Sequence, residues 1–476
     1  MFFIISGVLI MLRIFFISNT LLIDDEAYYA MYARHLSWGY IDHGPIIAYL
    51  IRLFTIFGEN SFTVRLGALT LLIILTIFLY RFGKTYFNEA TGIIMSLGIS
   101  ANMLFHTNAV VITPDAPLAF FTIMTIIYYY KAYFIDAKYL WAAGLLLGLA
   151  VLSKVSALFP AVGIILFPFL VQNKRHFLSD IRFYGSLVTA LLVFTPFIIW
   201  NLQNDLAFVR YQGSHITGSG SWSDFSGLWL GLLVTIGPVF FYYSVIKPFL
   251  FLKRLLSISP ELTYFTIVTI VPATYFLVHS VFTRMEVNWP APIFSGGLFL
   301  FGILLGENWP VHRKRFIFQV VFSLVLIFIV TIQTFWPFLP VKGKVDVTNR
   351  YHIYNAIPGE LKIYLQTHPE LQNKRILADN YQIPSMINFY LNPSLEASAI
   401  SINYHETLYS FLHPDGMFIG DDFLFLKKGK TFPKKFTPYF DEANLLQIFE
   451  SKRLGQKVAM YSLWSVINYR GKFSIN

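Results

Sequence analysis

The 476-residue chain has no cysteine, which removes disulfides, thiol nucleophiles and cysteine-based zinc sites from consideration. Charge is scarce as well. Asp, Glu, Lys and Arg make up 13% of the residues, about half the share of an average soluble domain, while 56% are hydrophobic and the mean hydropathy is +0.58. The opening MFFIISGVLIMLRIFFISN lacks a basic stretch and a small-residue cleavage site, and its apolar run exceeds the ~7–15 residues of a signal-peptide core. It reads as a retained membrane span in which Arg13 snorkels toward an interface. There is no internal repeat, heptad or low-complexity tract. The absences together describe a polytopic membrane protein. Its net charge of +10 does not argue for nucleic acid, because in such proteins Lys and Arg report orientation first.

Crossing a hydrocarbon layer takes roughly 17–25 apolar residues. Windows of about this kind, two of them short, recur at 2–19, 62–80, 90–106, 114–131, 139–153, 155–171, 184–200, 226–246, 262–281, 289–306 and 316–336, eleven in all. Basic groups occupy every second connection: Arg81/Lys84, Lys131/Lys138, Lys174/Arg175/Arg182, Lys247/Lys253/Arg254 and Arg313/Lys314/Arg315. The positive-inside rule makes those loops cytoplasmic, the N-terminus inside and the C-terminus outside. The stretches EAYYAMYARHL and PIIAYLIRLFTIFGEN are too short for spans and read as amphipathic helices along the outer interface. Residues 1–340 are thus expected to form an all-α membrane bundle, and 341–476 a small extracytoplasmic α/β domain. In the latter, KRILADNYQIPSMINFYL suggests a strand entering a helix and GMFIGDDFLFLKKGK two strands around a turn.

Parity puts Asp25 with Glu26, Asp42 with His43, Asp115, Lys154 and His215 on one side of the membrane. Singly, each has an ordinary explanation: a carboxylate at a helix end caps or is solvated, a Lys at a span end anchors, and a loop His is hydrogen-bonded filler. Arg284, Glu286 and Trp289 near an interface are equally ordinary. Jointly, acids, a Lys and histidines at an outer surface suit transfer of a group from a phosphate-linked lipid to a hydroxyl. An acid takes the hydroxyl proton, and cations or a metal neutralise the departing phosphate.

The ordered motifs DDEAYYAMYARHLSWGYIDHGPIIAYLIRLF, VVITPDAPLAFF, LLGLAVLSKVSALFPA, WNLQNDLAFVRYQGSH and EVNWPAP resemble the GT-C membrane glycosyltransferases, the superfamily of dolichyl-phosphate-mannose protein mannosyltransferases and aminoarabinose (lipid A) transferases. The resemblance runs from about residue 20 to 300 and is nearest to the bacterial branch that uses polyprenyl-phosphate sugars. It implies a GT-C bundle of about eleven spans, with interfacial helices in the first outer loop and an extracytoplasmic C-terminal domain. It also implies a glycosyltransferase in the bacterial inner membrane, taking a sugar from a polyprenyl-phosphate carrier to lipid A, another glycolipid or a protein hydroxyl. By the same resemblance Asp25, in the acidic dipeptide with Glu26, is the general base and Asp115 orients acceptor or donor sugar. Lys154 lies at the donor phosphate, with His43 and Arg284 as further phosphate contacts. Where some relatives carry an acid followed by Lys, this chain has Asp42-His43. That departure raises the expectation of a divalent metal ion held by Asp42, His43 and His215. A lipid or solute transporter is the competing class. It would place ionisable groups near mid-membrane on broken helices in two matching halves, and no such halves are visible in the sequence.

Overall fold

The computed structural model describes residues 2–216, 219–341, 343–400, 406–413 and 419–470. The chain divides into two compact units, one of Met1–Ile17, Trp38–Leu50 and Arg65–Ile329 and one of Ser18–Ser37, Ile51–Val64 and Val330–Asn476. The sequence reading cut the chain once, at 340. The second unit instead takes in two segments from the first outer loop as well as the C-terminal residues.

Helices stand at all eleven apolar windows. Four of them, Ser61–Tyr86, Ile181–Gln203, Pro260–Phe282 and Trp309–Phe335, are long and apolar enough to cross a membrane, and the number rises to eight if each of four bent pairs is one span. Tyr139–Ser153 and Ala291–Gly306, with 15 and 16 residues, rise only about 23 Å at 1.5 Å per residue, which is why they fall below that length. Within the first unit the bends are 57° between Glu89–Ser100 and Met103–Val110, 106° after Leu170 and 116° after Ile236.

A broken helix in lipid must satisfy the backbone groups it frees. Polar side chains do this here. At the third bend Gly237 has φ +89° and Pro238 follows, so the helix cannot continue. The stranded Ile236 carbonyl accepts from Asn102 Nδ2 and Gln319 Nε2, both at 2.8 Å. Gln319 Oε1 in turn accepts from the amides of Val239 and Phe240 at 3.1 and 3.0 Å. At the first bend Asn102 caps the new helix through the Leu104 amide, 3.0 Å away. Arg13 donates to the Ser100 carbonyl and to His106 Nδ1 at 3.3 Å. Arg13 is therefore not snorkelling: it is 2% exposed and braces the end of the Glu89–Ser100 helix, where unpaired carbonyls carry partial negative charge.

The second unit contains a five-stranded sheet in the order β2-β1-β3-β5-β4. Its strands are β1 (Ile376–Ala378), β2 (Ser398–Ala399), β3 (Phe423–Lys428), β4 (Glu442–Arg453) and β5 (Gln456–Ile467). β1 pairs in parallel with β2 and β3, and β5 pairs antiparallel with β3 and β4. As expected, β1 runs into a helix, Gln382–Leu391. In the run 416–430, residues 419 and 420 form a turn and Phe423–Lys428 the strand after it, while the strand expected before the turn falls largely on 414–418, which lie outside the described residues. The β4–β5 hairpin was not anticipated. It turns through Leu454 and Gly455, both at positive φ, as a two-residue turn compatible with strand twist requires. Leu377, Phe423, Phe425, Phe436, Phe440 and Val466 form the core.

Both expected outer-loop helices form, as Asp24–Arg34 and Ile46–Thr55. The first does not lie open along an interface, since every residue from Glu26 to Ala33 is buried. Its Tyr28 ring sits 4.4 Å from that of Tyr381, and the Tyr28 hydroxyl accepts from the Leu408 amide at 2.8 Å. A buried ion pair, Arg453 Nη1 to Asp346 Oδ2 at 3.0 Å, ties the hairpin to the segment after the last long helix. Gln333 and Thr348 hydrogen-bond the same carboxylate, so the pair's lone pairs are largely occupied, as burial of charge demands.

Candidate active site

In the first unit three separate motifs meet at one carboxylate. Asp115 begins the Asp115–Phe134 helix directly after Pro114, where the helix's free amides and dipole favour a negative charge. Lys154 ends the preceding-motif helix Tyr139–Ser153 in an extended conformation, φ −162° and ψ 132°, which turns its side chain out of the helical path. Its Nζ donates to Asp115 Oδ1 at 2.8 Å. Asn288, in the turn before Ala291–Gly306, donates from Nδ2 to Asp115 Oδ2 at 2.6 Å. Asp115 is 3% exposed and Lys154 17%. Both Asp115 oxygens are thus committed, and the carboxylate serves as a fixed counter-ion that aims Lys154. The ammonium, with three donors in all, keeps two for another partner.

The DHGP loop lies close to the end of the same helix. A side chain on Gly44 would collide with the Leu152 carbonyl, two residues before Lys154, and one on Gly39 would meet the Trp200 and Phe197 rings. Gln212 donates to the Asp42 carbonyl at 3.0 Å. The loop carrying Asp42 and His43 is therefore seated by close backbone approach, which explains the glycines. Arg284 is 75% exposed, with Nε 3.9 Å from Asp224 Oδ1.

In the second unit the acidic run opens the Asp24–Arg34 helix. Glu26 Oε2 accepts from the Ile23 amide at 2.9 Å, so this buried carboxylate closes the helix start in the manner of a capping-box glutamate. Asp24 Oδ1 and Asp25 Oδ2 share Arg350 Nη2, at 2.7 and 2.9 Å. Tyr354 donates to Asp24 Oδ2 at 3.3 Å and Tyr381 to Asp25 Oδ1 at 3.2 Å. Burial and then the adjacent Asp24 charge push the Asp25 carboxyl above the usual aspartate range, with Arg350 and Tyr381 pulling the other way. Burial opposes the Arg350 charge, but Asp24 and Asp25 more than offset it and hold the guanidinium protonated. A carboxylate of raised basicity is what proton abstraction near neutral pH calls for.

Of the expected residues, Asp115 and Lys154 come together, whereas Glu26 turns to the Ile23 amide and Asp25 to Arg350 and Tyr381. The His215 side chain lies outside the described residues. Among the described residues no group of three or more His, Asp or Glu side chains is placed to hold a metal ion. Asn288, Arg350 and Tyr381 were missed by sequence reasoning. Asn288 lies inside EVNWPAP, a neutral residue between Glu286 and Trp289. No local pattern marked Arg350 or Tyr381.

Residues 42–200 match the family model of dolichyl-phosphate-mannose-protein mannosyltransferases. No curated protein matches the sequence. Among solved structures, ArnT from Cupriavidus metallidurans bound to undecaprenyl phosphate is similar at 14% identity and a TM-score of 0.67, with 96% of each chain covered. The apo form of that protein gives 12% and 0.65 over the same shares. The archaeal oligosaccharyltransferase AglB from Archaeoglobus fulgidus, in complex with an inhibitory peptide and a dolichol-phosphate, gives 12% and 0.50, covering 90% of this chain and 69% of that one. The chain is a multi-span membrane protein with the ArnT-like GT-C fold. The family match covers about a third of the chain, and the likeness in fold to ArnT runs over 96% of it.

Proposed function

We propose that the protein is a glycosyltransferase moving a sugar from a polyprenyl-phosphate carrier to a hydroxyl of an envelope acceptor. The reaction runs on the extracytoplasmic face of a bacterial inner membrane, with the N-terminus cytoplasmic. The observation that supports this most is the end-to-end likeness to ArnT, whose solved structure holds undecaprenyl phosphate. Asp25 takes the acceptor hydroxyl proton, and the oxygen attacks the anomeric carbon with inversion. The bond from that carbon to the phosphate oxygen breaks, leaving its electron pair on polyprenyl phosphate. That leaving group is a weak base and needs charge neutralisation more than a proton. Lys154 supplies it, held ready by Asp115 and Asn288.

Lipid A or another glycolipid is the first acceptor reading. A protein hydroxyl is the second. Transport is disfavoured because the freed backbone groups at the helix break after Ile236 are taken up by Asn102 and Gln319 rather than offered to a solute. Mass spectrometry of envelope glycolipids and glycoproteins from cells with and without the gene tests the reading. A hexose, pentose or amino sugar missing from one defined molecule is expected, and an unchanged glycome would overturn it.

A further inference from the structure

A cleft of about 490 Å³ in the second unit is lined by Arg34, Arg52, Thr55, Glu59, Phe389, Asn392 and Glu396. Its volume lies within the ~300–1,000 Å³ typical of small-molecule sites. The charges in it are unevenly committed. Arg34 Nε donates to both Glu59 oxygens at 3.3 and 3.0 Å, and its Nη1 to the Asn388 carbonyl at 3.0 Å and Asn392 Oδ1 at 3.3 Å. Glu396 Oε1 pairs with His35 Nε2 at 2.9 Å. The Arg52 side chain, by contrast, makes no hydrogen bond or ion pair among the described residues, whereas Glu59 and Glu396, the carboxylates of the same cleft, are engaged by Arg34 and His35. A planar guanidinium with its donors free suits a phosphoryl group. Glu396 Oε2 and Asn392 remain available to hydroxyls.

The surroundings of the cleft are apolar. On the Ile46–Thr55 helix Leu53 lies one position beyond Arg52, about 100° round the axis, and Ile56 and Phe57 follow Thr55. All three are exposed, Phe57 fully. Leu36 and Leu395, next in sequence to the His35–Glu396 pair, are exposed too. Large apolar side chains gathered beside a polar cleft mark contact with lipid or a partner rather than with water. A ligand matching both parts has a phosphorylated, hydroxyl-bearing head and hydrocarbon tails.

We propose that this cleft binds the head group of an anionic phospholipid, its phosphate on Arg52 and its hydroxyls toward Glu396 and Asn392, with the acyl chains along Leu53, Ile56 and Phe57. This does not depend on the sugar-transfer reading, only on the chain residing in a membrane. The test uses the full chain in nanodiscs of phosphatidylcholine with graded phosphatidylglycerol, counting retained lipid by native mass spectrometry. Phosphatidylglycerol should be retained preferentially, and Arg52→Gln should weaken it about tenfold, the equivalent of one lost charge-assisted hydrogen bond, with Arg52→Lys recovering part. Arg52 is exposed, so both variants should unfold as the wild type does. Equal retention in wild type and Arg52→Gln, or phosphatidylcholine held as well as phosphatidylglycerol, would overturn the proposal. Inorganic phosphate displacing the lipid at equal concentration would mark a bare anion site and overturn the lipid assignment.

Discussion

Replacing Lys154 by Met keeps the length of the side chain and removes its charge, leaving Asp115, 3% exposed, with Asn288 as its remaining partner at 2.6 Å. Removing one member of a buried ion pair costs about 3–5 kcal/mol, because the other charge is left in a poor solvent, whereas replacing both members by neutral groups is often nearly neutral. Lys154→Met should therefore lower the unfolding midpoint of the detergent-purified protein clearly. The double variant Lys154→Met/Asp115→Asn should regain most of that loss. Activity should follow a different course. If the ammonium stabilises the departing phosphate, its loss removes roughly 3–4 kcal/mol from the transition state, on the scale of one lost oxyanion donor, or 10²–10³-fold in kcat. Restoring stability would not restore that rate. Unfolding curves beside turnover of a polyprenyl-phosphate sugar read the two effects separately. A single variant as stable as the wild type would refute the buried-pair argument, and a double variant that regained activity would reduce Lys154 to a structural role.

Asp25→Asn should abolish transfer while leaving expression and membrane insertion unchanged, and wild-type turnover in the purified variant would remove the base assignment. Arg350 pulls the Asp25 carboxyl down against burial and Asp24, and a base works only when ionised. Arg350→Gln should consequently move the acid limb of the kcat/KM–pH profile to higher pH, and an unmoved limb would uncouple the two residues. Asn288→Leu deprives Asp115 Oδ2 of its donor and should cost about 1–3 kcal/mol, read as a lowered unfolding midpoint with donor KM raised. Gly44→Ala sets a methyl group against the Leu152 carbonyl and should destabilise by about 1–3 kcal/mol through overpacking, seen in the same unfolding assay.

The helical windows were legible because a bilayer imposes a length and a polarity that any apolar run displays. β1 and its helix were legible from ILA followed by the turn residues of ADNYQ. The β4–β5 hairpin escaped notice because ANLLQIFESKRLGQKVAMYSLW mixes polar and apolar residues without a clean alternation, and its burial pattern is correspondingly irregular. Arg13 differs from the expectation because one arginine within an apolar span looks the same whether it reaches water or a carbonyl 87 residues away. Among the candidate chemical groups, Asp25, Asp115 and Lys154 stood out as charges at span ends, where charge is costly and needs a reason. Asn288 and Tyr381 did not, since a neutral side chain in a turn carries no such cost.

The amino-acid sequence alone determined that this is a membrane protein, where its helices fall and which ionisable side chains are out of place, because hydrophobicity and charge act residue by residue. Tertiary structure decided the partners. Asp115 takes Lys154 and Asn288, Asp25 shares Arg350 with Asp24, and two stretches of the first loop join the C-terminal sheet unit. Such pairings join residues far apart in the chain, up to 326 positions for Asp24 and Arg350. A contact of that span depends on how whole elements pack, and no local pattern records it.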